Sequence, residues 1–379
     1  MYLYSKLQSL NKDISICFIG CGKFISMFLS QYNQLQKIKI VAIVDVNIEK
    51  AKSNCKNSGL SQQTIDSINF TNSLDEALKK DIDIFIEATG DPIVGTEHAV
   101  KVINNKKNII MVNVEADVLC GKYLSDLAKK NNVIYSMAYG DQPALIMEQI
   151  EWAKLNGFSV VGAGKGTKYH PSFEYSTPDT VWKNYGMTDE QAKKAGMNPK
   201  MFNSFTTGDK SSIDENKNNI PNDLRWGVYI VIKAQNEYSK NCFKEYGMIT
   251  DKSGNYSAIW RPYHYIGLEL AQSMYVIAMD NRATGQTNYF NADVICVAKK
   301  DIKIGEVLDG EGGFAARGRL FTAERSVKEN LLPLGLSGGA VAKKNIKKDD
   351  LIYMDDVEIK WNKEVLKARE YQKNLITNG

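Results

Sequence analysis

The stretch Ile14-Ser15-Ile16-Cys17-Phe18-Ile19-Gly20-Cys21-Gly22-Lys23-Phe24 is an apolar run that ends in a glycine turn. A second apolar run, Ile38-Lys39-Ile40-Val41-Ala42-Ile43-Val44, ends at Asp45. Together they predict a strand, a tight turn, a helix, and a next strand with an acid at its tip. In such a unit the first glycine permits the turn and the second lets the backbone approach a pyrophosphate. A helix starting near Phe24 aims its unpaired N–H groups at the anion. Asp45 lies 45 − 22 = 23 residues after Gly22, close to the spacing at which a carboxylate accepts ribose hydroxyls. Gly20, Gly22, Lys23, Phe24 and Asp45 are therefore the first cofactor-binding candidates. The third glycine position holds Ile25 with Ser26 beside it, a looser variant of the turn. The competing reading is an ordinary strand–turn–helix with a structural glycine pair. Asp45 repels a 2′-phosphate and so favours NAD over NADP. Lys50 and Lys52, just beyond it, weaken that preference.

Working outward, short apolar runs alternate with amphipathic stretches to about residue 155, the pattern of an open parallel sheet with helices on both faces. Residues 83–90, 108–115 and 133–139 read as its further strands. Ligands of such sheets bind at the carboxyl ends of the strands, which adds Thr89, Gly90, Asn113 and Glu115 to the cofactor candidates. Asp141 is placed to cap a helix over 142–156, with Pro143 in its first turn and Gly157 as its stop. Residues 158–164 then begin a second region of mixed strand and helix signals, including a strand over 226–232 and a helix over 268–279.

The C-terminal part repeats itself. Val297-Ala298-Lys299-Lys300-Asp301-Ile302 returns as Val341-Ala342-Lys343-Lys344-Asn345-Ile346, an offset of 341 − 297 = 44 residues. One pair of repeats is too few to stack as a solenoid. Two related β-turn-β units in a small β domain fit better, with the lysines on a solvated face.

Composition narrows the class. The chain has 379 residues, 24% charged, with a net charge of +4, and no basic run dense enough to bind a nucleic-acid backbone. Six cysteines are scattered without a C-x-x-C pair, as expected of free thiols in a reducing compartment. No apolar run is long enough to span a membrane and the start carries no basic-then-apolar signal, so the expected location is the cytoplasm.

Reactive side chains are densest at Gly164-Lys165-Gly166-Thr167-Lys168-Tyr169-His170-Pro171. Carbonyl reduction needs a hydride donor, a group that polarises the oxygen and a proton for the developing alkoxide. A lysine whose pKa is lowered by desolvation can do the last two. The bland alternative is a solvated glycine loop with surface lysines. Asn203, Arg261 and His264 add amide, guanidinium and imidazole groups, and Arg261 is equally a structural ion-pair partner. Glu115 and Asp141 are hard oxygen donors suited to Mg²⁺ or Mn²⁺, although no diagnostic ligand spacing accompanies them.

Several of these segments together resemble a known group. They are Val114-Glu115-Ala116-Asp117, Tyr139-Gly140-Asp141-Gln142-Pro143-Ala144, the Gly164–Lys168 loop, Ser176-Thr177-Pro178-Asp179-Thr180-Val181-Trp182, Gly196-Met197-Asn198-Pro199-Lys200-Met201-Phe202-Asn203 and Asn222-Asp223-Leu224-Arg225-Trp226-Gly227-Val228. With the duplicated lysine motif, they resemble the homoserine-dehydrogenase-like NAD(P)-dependent oxidoreductases that carry a C-terminal SAF (β-clip) domain. That group includes the deoxyxylulose-phosphate reductoisomerase-like enzymes. The resemblance implies an α/β fold with an N-terminal Rossmann doubly wound parallel sheet (1–156) and a central α+β catalytic and dimerisation domain (157–290). A small β-clip domain (291–360) and a C-terminal tail (361–379) follow.

The expected activity is NAD(P)-dependent reduction, or a reductoisomerase-like reaction, on a small phosphorylated sugar or hydroxy-carbonyl compound. In it Lys165 polarises the carbonyl and supplies the proton, Lys168 and Arg261 hold the phosphate, and Asn203 and His264 orient the hydroxyls. A divalent metal on Glu115 or Asp141 steadies an enediolate if isomerisation occurs. The expected assembly is a homodimer, with no nucleic-acid or membrane partner. Two other functions stay open: oxidation of an unphosphorylated hydroxy or amino acid, and a non-catalytic nucleotide-sensing or ligand-binding protein.

Overall fold

The computed structural model describes residues 3–166, 170–194, 197–203, 216–218, 227–359 and 362–377. The chain forms two compact units. The first comprises Met1–Val114, Leu124–Gly166 and Trp226–Thr287; the second comprises Glu115–Tyr123, Thr167–Arg225 and Asn288–Gly379.

The first unit is built on six parallel strands: β1 (Ile14–Ile19), β2 (Ile38–Val44), β3 (Asn69–Thr71), β4 (Ile84–Glu87), β5 (Asn108–Met111) and β6 (Tyr135–Met137). Their order is β3-β2-β1-β4-β5-β6, so the chain reverses its winding direction between β1 and β4. The strands are apolar nearly throughout because helices cover both sheet faces. Ile16, Phe18, Ile43, Ile84, Ile86 and Ile110 share one buried cluster with Ile25 and Phe28 of the helix after the glycine turn. Leu270, Ala271, Met274 and Ile277, from the helix Ala271–Asp280 and its entry, pack into that same cluster. That return of a distant segment to the first sheet has no signature in its own sequence.

Beside this sheet, β7 (Ser159–Lys165), β8 (Val228–Lys233) and β9 (Tyr256–Arg261) form an antiparallel sheet in the order β7-β8-β9. One face buries Ile230 and Ile232 against Ala153 of the helix Gln142–Leu155 and against Phe243. Lys165 pairs with Val228, and Val228 with Arg261, so one row across the sheet carries both basic residues. Lys165 is thus the last residue of a strand and not a member of a flexible loop, because the register carries β7 one residue beyond the expected end.

The run 108–115 is also shorter as a strand than its apolar character suggests. β5 stops at Met111 and the helix Val114–Asn131 begins three residues later. Glu115 and Asp117 stand in the first turn of that helix, where its positive end favours acids. Glu115 is therefore a helix-start residue.

In the second unit, β10 (Ala292–Ala298) pairs antiparallel with β11 (Ala316–Thr322), and β12 (Val341–Ala342) with β13 (Val357–Glu358). The two sequence repeats bond to each other about a local twofold. Ile302 and Ile346, equivalent positions, exchange both backbone hydrogen bonds (2.8 and 2.9 Å). The bond from Ala298 N–H to Asp350 O (3.0 Å) has its counterpart from Ala342 N–H to Glu306 O (2.9 Å). Each repeat supplies the partner strand that its twin lacks. Their lysines do not all lie on a solvated face, which corrects the expectation for this repeat. Lys299 Nζ is held by the carbonyls of Ser176 (2.7 Å) and Gly313 (2.8 Å), and burial pushes its pKa down to about 8. Its repeat counterpart Lys343 is exposed.

Candidate active site

The glycine turn and the tip of β2 are joined by direct bonds. Asp45 Oδ2 accepts the Cys21 N–H (2.8 Å), Asp45 Oδ1 accepts the Asn47 N–H (2.8 Å), and Asn54 Nδ2 donates to the Cys21 carbonyl (2.7 Å). Gly20 has φ +89°, and a Cβ there would stand 2.9 Å from the Ala88 carbonyl oxygen, so the β1 and β4 loops touch only because it is glycine. Nothing lies within 4 Å of a Cβ built on Gly22, which leaves room over the turn. A close glycine contact, an open second glycine and an acid at the next strand tip fit a dinucleotide. Lys23 is exposed beside the turn, whereas Phe24 packs against the core and acts as a wall residue.

At the neighbouring β4 loop, Thr89 and Gly90 are exposed, as a ligand-facing turn requires. The residue that shapes them is Glu87, which the sequence reading passed over as part of an apolar strand. Its side chain is fully buried and accepts from the Thr89 hydroxyl and the Thr89 N–H (3.2 Å). Asn113 is also buried, its Nδ2 donating to the Asp91 carbonyl (2.8 Å).

Further along the same unit, Tyr139-Gly140-Asp141 leaves β6 and enters the helix Gln142–Leu155. Asp141 caps that helix, its Oδ1 accepting the Gln142 N–H (2.8 Å), and it is 8% exposed. Burial raises its pKa to about 6, against the lowering effects of the Gln142 N–H and of Lys165. Lys165 is lowered by its own desolvation, a shift that Asp141 partly offsets. His264 completes the group. Burial and the Lys165 charge lower its pKa, against the bond its ring makes to the Gly140 carbonyl. Gln142 Nε2 lies 3.3 Å from His264 Nε2. A lysine, a carboxyl and an imidazole are thus all shifted chiefly by burial in one corner of the first unit, with Lys165 acting on both of the others, an arrangement suited to moving a proton. Gly140 makes the corner possible, since a Cβ there would meet the Tyr265 carbonyl at 2.7 Å.

The other candidates are placed differently. Arg261 is bonded to Glu269 and stacks on the rings of Tyr139 and Tyr263, at 5.9 and 4.9 Å from their centroids. It therefore holds the loop around His264, in keeping with its ion-pair reading. Asn203 belongs to the second unit, where its Nδ2 bridges the carbonyls of Ser176 (2.9 Å) and Gly312 (2.8 Å). Glu115 is likewise assigned to the second unit. Lys168 lies outside the described residues. Among the described residues, no three or more His, Cys, Asp or Glu side chains gather as a metal-binding group. No helix among them is long and apolar enough to cross a membrane.

Comparison with known proteins matches three successive regions of the chain. Residues 14–139 match the GFO/IDH/MocA oxidoreductase family, NAD-binding Rossmann fold. Residues 140–218 and 214–270 match the catalytic domain of oxidoreductase DRL, and residues 294–358 match the SAF domain. An L-aspartate dehydrogenase of Methanococcus maripaludis is 30% identical over 105 residues, 27% of this chain and 36% of the relative. The chain thus spans about a third of the length of that relative. Among solved structures, 1-deoxy-D-xylulose 5-phosphate reductoisomerase from Zymomonas mobilis, in complex with NADPH, is 14% identical with a TM-score of 0.35. It is covered over 52% of its length and covers 45% of this chain. GenD2 from gentamicin A biosynthesis, in complex with NAD, is 13% identical with a TM-score of 0.32, over 67% of this chain and 66% of its own. Along the chain, the matched regions run from the NAD-binding Rossmann fold of an oxidoreductase family, through the catalytic domain of oxidoreductase DRL, to a SAF domain.

Proposed function

We propose that this oxidoreductase reduces a small phosphorylated sugar, or a related hydroxy-carbonyl compound, at the Lys165–Asp141–His264 corner. The observation that carries the reading is that burial shifts both Lys165, at the end of β7, and Asp141, at the cap of the helix Gln142–Leu155, the lysine downward and the acid up to about 6, while the opposite charge of each only partly offsets the shift of the other. The bound dinucleotide supplies the hydride. Lys165 polarises the carbonyl oxygen and gives up a proton as that oxygen becomes a hydroxyl. Asp141, with a pKa close to neutrality, takes part in returning a proton to Lys165. His264, with its pKa lowered, presents a neutral ring to a substrate hydroxyl at neutral pH. The resemblance of the sequence to the deoxyxylulose-phosphate reductoisomerase-like group supports a phosphorylated ketose as the substrate class, and the match to the catalytic domain of oxidoreductase DRL supports oxidoreductase chemistry in this region.

For the cofactor, the reading favours NAD. Asp45 stands at the tip of β2, and Lys52 is engaged with Glu49 (3.1 Å) and lies over the Phe70 ring. A divalent ion on Asp141 or Glu115 belongs to the isomerising form of the reaction alone.

The test is oxidation of NADH and NADPH with 1-deoxy-xylulose 5-phosphate and its unphosphorylated analogue, with and without Mg²⁺ or Mn²⁺. Turnover that requires the phosphate supports the reading, and metal dependence selects the reductoisomerase form. The aspartate dehydrogenase likeness favours a second reading, an unphosphorylated amino or hydroxy acid. Turnover of L-aspartate or homoserine with NAD⁺, and none of the sugar phosphate, would establish that one instead.

A further inference from the structure

Glu87 is the anomaly of the first unit. It ends β4, next to the point where the strand order reverses, and its side chain is fully buried. Oε1 takes the hydroxyl and N–H of Thr89, and His98 Nδ1 lies 3.4 Å away. Oε2 is buried with no hydrogen-bond partner. A carboxyl oxygen withdrawn from water and left unpaired opposes folding. The helix Pro92–Asn104 also gives way to it. Gly95 sits inside that helix, and a Cβ there would stand 3.0 Å from Glu87 Oε2 and 2.3 Å from Asn113 Nδ2. An apolar side chain at position 87 would be the better choice for stability alone, as it is at Ile84, Phe85 and Ile86 beside it.

What Glu87 does hold is the Thr89–Gly90 turn. Both polar groups of Thr89 that can donate are taken by one carboxyl oxygen. The adjoining Ala88 carbonyl is the atom against which Gly20 of the dinucleotide turn is packed. We propose that Glu87 is a positioning residue for the dinucleotide site, fixing the Thr89–Gly90 turn beside the glycine loop at some cost in stability. The proposal rests on the dinucleotide reading and goes beyond it in assigning this buried acid to ligand affinity.

The experiment compares the full chain with Glu87→Leu and Glu87→Gln, measuring the thermal midpoint and the Kd of NADH and NADPH by fluorescence. Leucine removes the acceptor, so affinity should fall at least tenfold while the midpoint holds or rises. Glutamine keeps a carbonyl oxygen for Thr89, so affinity should return to within about threefold of the parent. An unchanged Kd in folded Glu87→Leu would overturn the proposal, as would equal weakening by both substitutions. If Glu87→Leu does not fold, Thr89→Val decides, since it removes the hydroxyl from the exposed side. Weakened binding in that variant supports the role and unchanged binding refutes it. Failure of the parent protein to bind either dinucleotide would instead bring down the dinucleotide reading itself.

Discussion

Two aspartates follow parallel strands of the same sheet, and their surroundings give them different work. Asp45, after β2, has each oxygen on a backbone N–H, from Cys21 and from Asn47. Asp141, after β6, is buried, has one such donor and faces Lys165. A carboxyl group bonded on both oxygens fixes a loop and can accept further donors. In the other, burial draws the pKa up toward neutrality in spite of its donor and the lysine beside it, which is what proton transfer needs. On the proposed function, burial and donor count separate the acid that binds from the one that reacts.

The strongest test of that contrast is Lys165→Ala, which should lower kcat by about 10²–10⁴-fold, the usual worth of a positioned acid or base. Dinucleotide affinity, measured by fluorescence titration, should be unchanged because the glycine turn and Asp45 are untouched. In the parent protein, reduction should fade as pH rises through the lowered Lys165 pKa. A kcat in the alanine variant equal to the parent's would remove Lys165 from the chemistry.

Next in size is Asp141→Asn, which keeps a capping oxygen and removes the charge. The Asp141 pKa is raised from 3.8 to about 6 on folding, so its contribution favours the folded state below pH 3.8 and is lost as pH rises through 6. The variant should therefore gain stability over the parent across that window. The gain should be at most about 3 kcal/mol, from roughly 1.4 kcal/mol per pKa unit. Urea unfolding at pH 4 and pH 7 measures it, and a difference independent of pH would place the carboxyl in water. Turnover at pH 7 should fall about tenfold, the effect of moving a coupled group by one pKa unit.

The smallest effect is expected at the other acid. Asp45→Ala removes a charged acceptor, so NADH affinity should weaken by roughly tenfold, with kcat at saturating cofactor preserved. The preference for NADH over NADPH should shrink in the same titrations. If kcat fell while Kd held, the division of labour between the two corners would be reversed.

Much of this was open to reading along the chain. The parallel sheet is written in contiguous apolar runs because both of its faces are covered. The glycine turn, the Asp141 cap and the repeat at 297 and 341 each occupy a short stretch whose chemistry is local. Lys165 was found by its dense setting, though as a loop residue; only pairing with Val228 shows it at a strand end. Arg261 reads in sequence equally as an anion holder and as an ion-pair partner, and its partner Glu269 is named only by the fold. Glu87 draws no notice in sequence because one acid inside the 83–90 run reads as an ordinary strand residue. The lysine repeat was visible, but its reciprocal pairing and the burial of Lys299 alone of its pair were not.

The sequence by itself determined the apolar runs that become strands, the turns and the caps, since these depend on neighbours within a few positions. The tertiary structure decided which charges are desolvated and what faces them. Asp141, Lys165 and His264 are dozens of residues apart, and their pKa values arise only when folding excludes water from around all three. Desolvation is a property of the packed volume around a group, and no stretch of chain carries it alone.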